Sequence, residues 1–285
     1  MSADFNKIRV ENEKLVMLED SLGWDKVRQL VQDNKLKAFG GIMNLLSKPK
    51  AEEIEVIYEE RRFEAFWHVI GKAEFEYKKR NKYHVPVASI VKEVNLLGQD
   101  YKVDKSSGFF ELEVVDHCSE QYREELMIEA KSDQPRNFTH YLNFPSRTID
   151  STDELIKDGT PIVNLETRAQ TLVRQVLATL VKPIKADEIL KEEIVISDLN
   201  LYFFPVYTFE LFWKNKDKKA TISFDGVTTE LNLKAVKISD KLKDTFTSED
   251  LFEFSKEIAQ NIIPGGGLAV MMGKKVLEMS KKKSA

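Results

Sequence analysis

Cysteine is almost missing from this chain. Cys118 is the only one in 285 residues, which excludes an internal disulfide and any multi-thiolate zinc site. Long apolar runs are missing too. No uninterrupted stretch approaches the roughly 18 residues that a membrane-crossing helix needs, and the opening residues MSADFNKIRVENEKL carry no signal-peptide pattern. A soluble, cytoplasmic protein without a transmembrane segment is the expectation. Charge of one sign is also lacking, because 43 basic and 47 acidic side chains leave only −4. Overall charge therefore gives no hold on nucleic acid or anionic membrane. The four histidines show no His-x-x-x-His spacing. No metal and no cofactor is expected.

Aromatic side chains are plentiful, with 17 Phe, 8 Tyr and 3 Trp. That is far too many for a solvated coil, and enough for a substantial core. From Ser21, a helix-capping residue, Val27, Leu30 and Val31 form a helical stripe that Pro49 stops. The period then becomes two. Ile54, Val56 and Tyr58 alternate with glutamates, and Ala73, Phe75 and Tyr77 alternate with Glu74, Glu76 and Lys78. Lys78-Lys79-Arg80-Asn81-Lys82 reads as a turn, with Tyr83, Val85 and Val87 returning as the next strand.

A second stretch repeats this order. Thr167 caps a helix bearing Leu172, Val173, Val176, Leu177 and Leu180, which Pro183 ends. Ile194 and Ile196 open a strand, and residues 199–213 are aromatic-rich. Lys214 to Lys219 forms a turn, Ala220, Ile222 and Phe224 return, and Asp225-Gly226 supplies a tight turn. LLSKPKAEEI parallels TLVKPIKADEI, and Phe63, Ala65, Trp67 and Val69 line up with Phe203, Pro205, Tyr207 and Phe209. The reading is an internal duplication. It gives an α+β fold of two related helix–strand–strand units sharing an antiparallel sheet, followed by a C-terminal helical hairpin. The boundaries are 1–100 for the first unit, 101–164 for an inserted segment, 165–235 for the second unit and 236–285 for the hairpin. Within the insert, Phe109 to Val115 reads as a strand and Ser119 as the cap of a short helix through Tyr122, Leu126 and Ala130.

Few residues carry recognisable chemistry. Gly265-Gly266-Gly267 fails the phosphate-loop pattern, because a helix precedes it and Lys275 stands where a hydroxyl belongs. His117-Cys118 is the only adjacent pair of nucleophile and base, but neighbours on a strand point to opposite faces. Carboxylate pairs such as Asp187-Glu188 and Glu192-Glu193 act only if space brings them together. Lys78, Lys79, Arg80 and Lys82 in one basic turn, and Lys214, Lys216, Lys218 and Lys219 in the other, sit beside Tyr77, Tyr83, Phe212 and Trp213. Basic loops flanked by stacking residues suit single-stranded nucleic acid. Leu268, Met271, Met272 and Val276 form an apolar stripe on the last helix, fit for a partner's groove.

The segment LYFFPVYTFELFWKNKDKKATISFDGVTTEL, residues 201–231, resembles the strand–turn–strand ending in Asp-Gly-x-Thr of PepSY-type modules. Similar segments occur in uncharacterised prokaryotic α+β proteins. The resemblance implies a binding or inhibitory role, usually outside the cytoplasm, and it supplies no site residues. The leading expectation is a non-enzymatic binding protein for a protein partner or small ligand. Nucleic-acid binding through the basic turns is the alternative, and an enzyme near His117 and Cys118 comes third.

Overall fold

The computed structural model describes residues 6–40, 49–132, 134–233 and 252. Its elements, in order, are β1 (Asn6–Val10), β2 (Glu13–Leu18), α1 (Gly23–Asn34), β3 (Ile54–Pro86), β4 (Glu93–Leu96), β5 (Gln99–Lys102), β6 (Phe109–Glu129), β7 (Gln134–Pro135), β8 (Ser146–Ile149), α2 (Asp153–Ile156), α3 (Ala169–Leu180), β9 (Glu188–Trp213), β10 (Lys218–Asp225) and β11 (Leu231–Asn232). Strands take up 53% of the described residues. Nine of them form one mixed sheet, and β4 and β5 pair separately.

β3 is the axis of the molecule. Its 33 residues span roughly 110 Å of strand at ~3.3 Å per residue, against the usual 3–10 residues. One edge pairs antiparallel with β9 from Ile54 to Lys78, and the other with β6 from Phe66 to Pro86. Three register shifts along β9 let so long a ribbon twist. The far edge of β9 is filled in series by β1 and β2, both parallel to it, and by antiparallel β10.

This architecture corrects the expected α+β arrangement of two like units. The first stretch is a helix followed by one uninterrupted strand, whereas the second is a helix followed by the β9–β10 hairpin. Lys78 to Lys82 lies inside β3 and is not a turn. The reason is charge pairing across strands. Lys78 meets Glu188 at 2.9 Å, Arg80 meets Asp187 at 3.1 Å, and Lys82 meets Glu113 at 3.1 Å. Asp116 accepts from both Asn81 and Tyr83. Opposite charges set directly across a ladder stabilise the pairing. The helix expected at 119–130 is likewise strand, because Ser119 to Glu129 pairs residue by residue with Phe66 to Glu76. The expected C-terminal hairpin, with Leu268, Met271, Met272 and Val276, lies outside the described residues. Among those described, no helix is long and apolar enough to cross a membrane.

The core lies mainly on one face of the sheet. Phe63, Ala65, Trp67, Val69 and Phe75 of β3, with Leu199, Leu201 and Phe203 of β9, are covered by the α3 residues Leu172, Val173, Val176, Leu177 and Leu180. Contact is close at Gly71, where a Cβ would fall 2.4 Å from Val176 Cγ1 and 2.7 Å from Leu180 Cδ1. The buried Phe252 packs edge-on against Trp67 with centroids 5.8 Å apart. α1 covers Tyr207, Phe209, Leu211 and Trp213 further along the same face, through Val27 and Val31. Asp20, not Ser21, accepts from the amides that open α1. On the opposite face, residues 138–144 lay Phe138 and Tyr141 over Phe66, Phe204 and Val206. Phe66 is sandwiched between Phe138 and Tyr202, with planes within 4° and 3°.

Candidate functional site

The second face carries buried charge. Residues directly opposite each other in an antiparallel ladder share a face. The register therefore builds two adjoining rows: Asp225, Val206 and Arg62, then Ser223, Thr208 and Glu60. Phe204 and Glu64 form the next row. Arg62 is 4% exposed, Glu64 7% and Glu60 9%. Buried charge is tolerated only when paired. Arg62 donates to Glu64 Oε1 through Nε at 3.0 Å and Nη2 at 2.7 Å, and Lys131 donates to the other Glu64 oxygen. Burial pushes the Glu64 carboxyl up, but Lys131 and Arg62 outweigh it and hold it below the usual carboxylate range. Tyr58 donates to Glu60 and is pushed up to about 12, chiefly by that hydrogen bond.

Two polar atoms in these rows are left over. Arg62 Nη1 is buried and makes no hydrogen bond among the described residues; the nearest Glu60 oxygen stands 3.7 Å away. Thr208 Oγ1, in a fully buried side chain, also makes no hydrogen bond among the described residues. Buried donors are satisfied in the great majority of folded proteins, so such orphans call for an explanation.

A cleft of about 910 Å³ opens over Arg62, within the size range of small-molecule sites. Lys131 and Arg136 reach it from the segment after β6. Tyr141 and Asp225, hydrogen-bonded to each other, also line it, and the exposed Asn164 and Glu166 stand at its mouth. Burial, then Asp225, raises the Tyr141 hydroxyl, so it stays protonated and donating. Asp225 also accepts from the amides of Val227 and Thr228, fixing the tight turn at Asp225-Gly226. Phe204, Val206, Val163 and Leu231 supply apolar wall. A second cleft, about 490 Å³, lies at Arg9, Glu74 and Glu193. Most of its charges are partly exposed and already paired, with Arg9 to Glu193 at 2.8 Å.

The residues singled out in the sequence lie elsewhere. The basic sets sit near opposite ends of the β3–β9 ladder. Ile54 pairs with Trp213, next to Lys214, and Lys78 pairs with Glu188, about 80 Å of strand away at ~3.3 Å per residue. Lys214 pairs with Glu55, and Lys219 stands 3.6 Å from Glu210. His117 and Cys118 lie on β6 opposite Lys78 and Tyr77, with His117 exposed and Cys118 half-buried. Asp187 and Glu188 serve the ion pairs of β3. No group of three or more His, Cys, Asp or Glu placed to hold a metal occurs among the described residues. Arg62 and Glu64 escape a sequence reading because an alternating charged residue on a strand looks like the solvent face. The one available signal was that Glu60, Arg62 and Glu64 run straight into the aromatic stretch that follows. No protein-family model, no curated protein and no solved structure matches this chain.

Proposed function

We propose that this protein recognises a small polar ligand in the cleft over Arg62. The observation that carries the proposal is the guanidinium itself. Its side chain is 5% exposed, its charge is met by Glu64 and at 3.7 Å by Glu60, and its Nη1 still makes no hydrogen bond among the described residues. An unmet buried donor costs about 1–3 kcal/mol. An acceptor on a bound molecule recovers that cost only when the ligand is present, which makes the site a receptor and not merely part of the core. The apolar wall of Phe204 and Val206 and the fixed Tyr141–Asp225 pair give the pre-formed, mixed surface that ligand sites need. Nucleic-acid binding has weaker support, because the two basic sets stand far apart and most of their charges are paired.

Asn164 is exposed at the mouth, so Asn164→Trp fills the opening without overpacking the core. A fragment screen by ligand-observed NMR on the full chain is expected to give binders, and Asn164→Trp is expected to abolish their binding while the thermal transition stays in place. Binders indifferent to this substitution place the ligand site elsewhere and overturn the proposal.

A further inference from the structure

Resting on that cleft as the ligand site, we infer that the group received by Arg62 is an uncharged amide and not an anion. The Nε/Nη2 edge of the guanidinium is already occupied by Glu64. Nε and Nη2 both point at Glu64 Oε1, and that two-pronged edge is what carboxylates and phosphates prefer. The nitrogen left without a hydrogen bond is Nη1, with a Glu60 oxygen 3.7 Å away, a position suited to a neutral carbonyl oxygen.

Charge leads to the same class. The cleft is lined by the cations Arg62, Lys131 and Arg136 and by the carboxylates Glu64, Glu166, Asp225 and Glu230. Lys131 is shared between Glu64 and Glu129, and a Glu60 oxygen stands 3.7 Å from Nη1. An anion at Nη1 would sit beside Glu60 with no spare cation at that depth, whereas a carbonyl brings only a dipole. At the mouth, Glu166 and Glu230 have no cationic partner among the described residues. They are acceptors for the N–H groups that an amide carries beside its carbonyl. Phe204 and Val206 receive the apolar part of the molecule.

The test is an isosteric trio titrated against the full chain by ligand-observed NMR: benzamide, benzoate and benzamidine. Benzamide is expected to bind about tenfold or more tightly than benzoate, the scale of one buried hydrogen bond. That preference is expected to hold at raised salt and to vanish in Arg62→Lys, which keeps a cation for Glu64 but lacks the spare nitrogen. Benzoate binding as well as benzamide, blocked by Asn164→Trp, overturns the amide class and leaves the cleft standing. Benzamidine binding best assigns recognition to the acidic mouth and also overturns it. If none of the three shows binding that Asn164→Trp removes, the cleft itself fails, and this inference with it.

Discussion

The two faces of β3 around residues 60–69 are built for different ends. Phe63, Ala65, Trp67 and Val69 point into a dry core closed by α3 and Phe252. Glu60, Arg62 and Glu64, interleaved with them on the same strand, point the other way into charge that is buried but only partly paired. One face gains from being complete. The other keeps a donor unmet, and a chain selected for stability alone gains nothing from doing so. Replacing a buried ion pair with apolar side chains of similar size is often neutral or stabilising. The second face is therefore the place to look for function, and the first is the frame that holds it.

Breaking the apolar face should cost most. Trp67 is 1% exposed and donates to the Thr167 carbonyl at 3.0 Å. Trp67→Ala is expected to destabilise by about 3–5 kcal/mol, read by urea unfolding. A loss under 1 kcal/mol would mean that α3 and Phe252 collapse onto the gap.

The charged face should respond less, and in a pH-dependent way. Glu64→Gln removes the counter-charge of Arg62 and Lys131, and the expected cost is about 3 kcal/mol at neutral pH, the low end for a broken buried pair because the amide still accepts a hydrogen bond. The Glu64 carboxyl is held below its ordinary value in the fold. Its contribution is then fully present above that ordinary value and is lost as pH falls through the folded pKa. The gap between wild type and Glu64→Gln, measured by urea unfolding across the acid range, should narrow as pH drops. A constant gap would mean that Glu64 is not the group being titrated.

The contrast between faces also explains what was legible in the sequence. Periodicity located the start of β3 at Ile54, the apolar stripes of α1 and α3 and the turn at Asp225-Gly226, because each depends on neighbours a few residues away. Strand continuity did not show. Lys78 to Lys82 looks like a turn until Glu113, Asp116, Asp187 and Glu188 arrive from other strands to pair with it. Likewise, β6 reads as strand then helix until β3 dictates its register through Glu129. The likeness between 45–69 and 179–209 reflects two long strands facing the same core, and like composition did not make like shapes. Arg62 was hidden for the complementary reason. Its neighbours across the ladder, Val206 and Asp225, and the Lys131 that shares Glu64 with it, are not brought near it by sequence spacing.

The smallest effect is expected where β3 and β6 run on past the end of β9. Lys82 there meets Glu111 at 3.3 Å and Glu113 at 3.1 Å, with all three side chains more than half exposed. Such pairs are screened and entropically costly to hold, worth roughly 0.2–1 kcal/mol. Lys82→Ala should therefore leave the global unfolding midpoint nearly unchanged, since the two glutamates relax into water. Hydrogen exchange at the amides of Glu111 to Asp116 gives the finer reading. Modestly faster exchange there, with none over Phe66 to Phe75, is what local pairing on a solvated ribbon produces. A global shift as large as that of Glu64→Gln would put the surface charges on a par with the buried ones, and the distinction between the solvated ladder and the enclosed cluster under the cleft would fall.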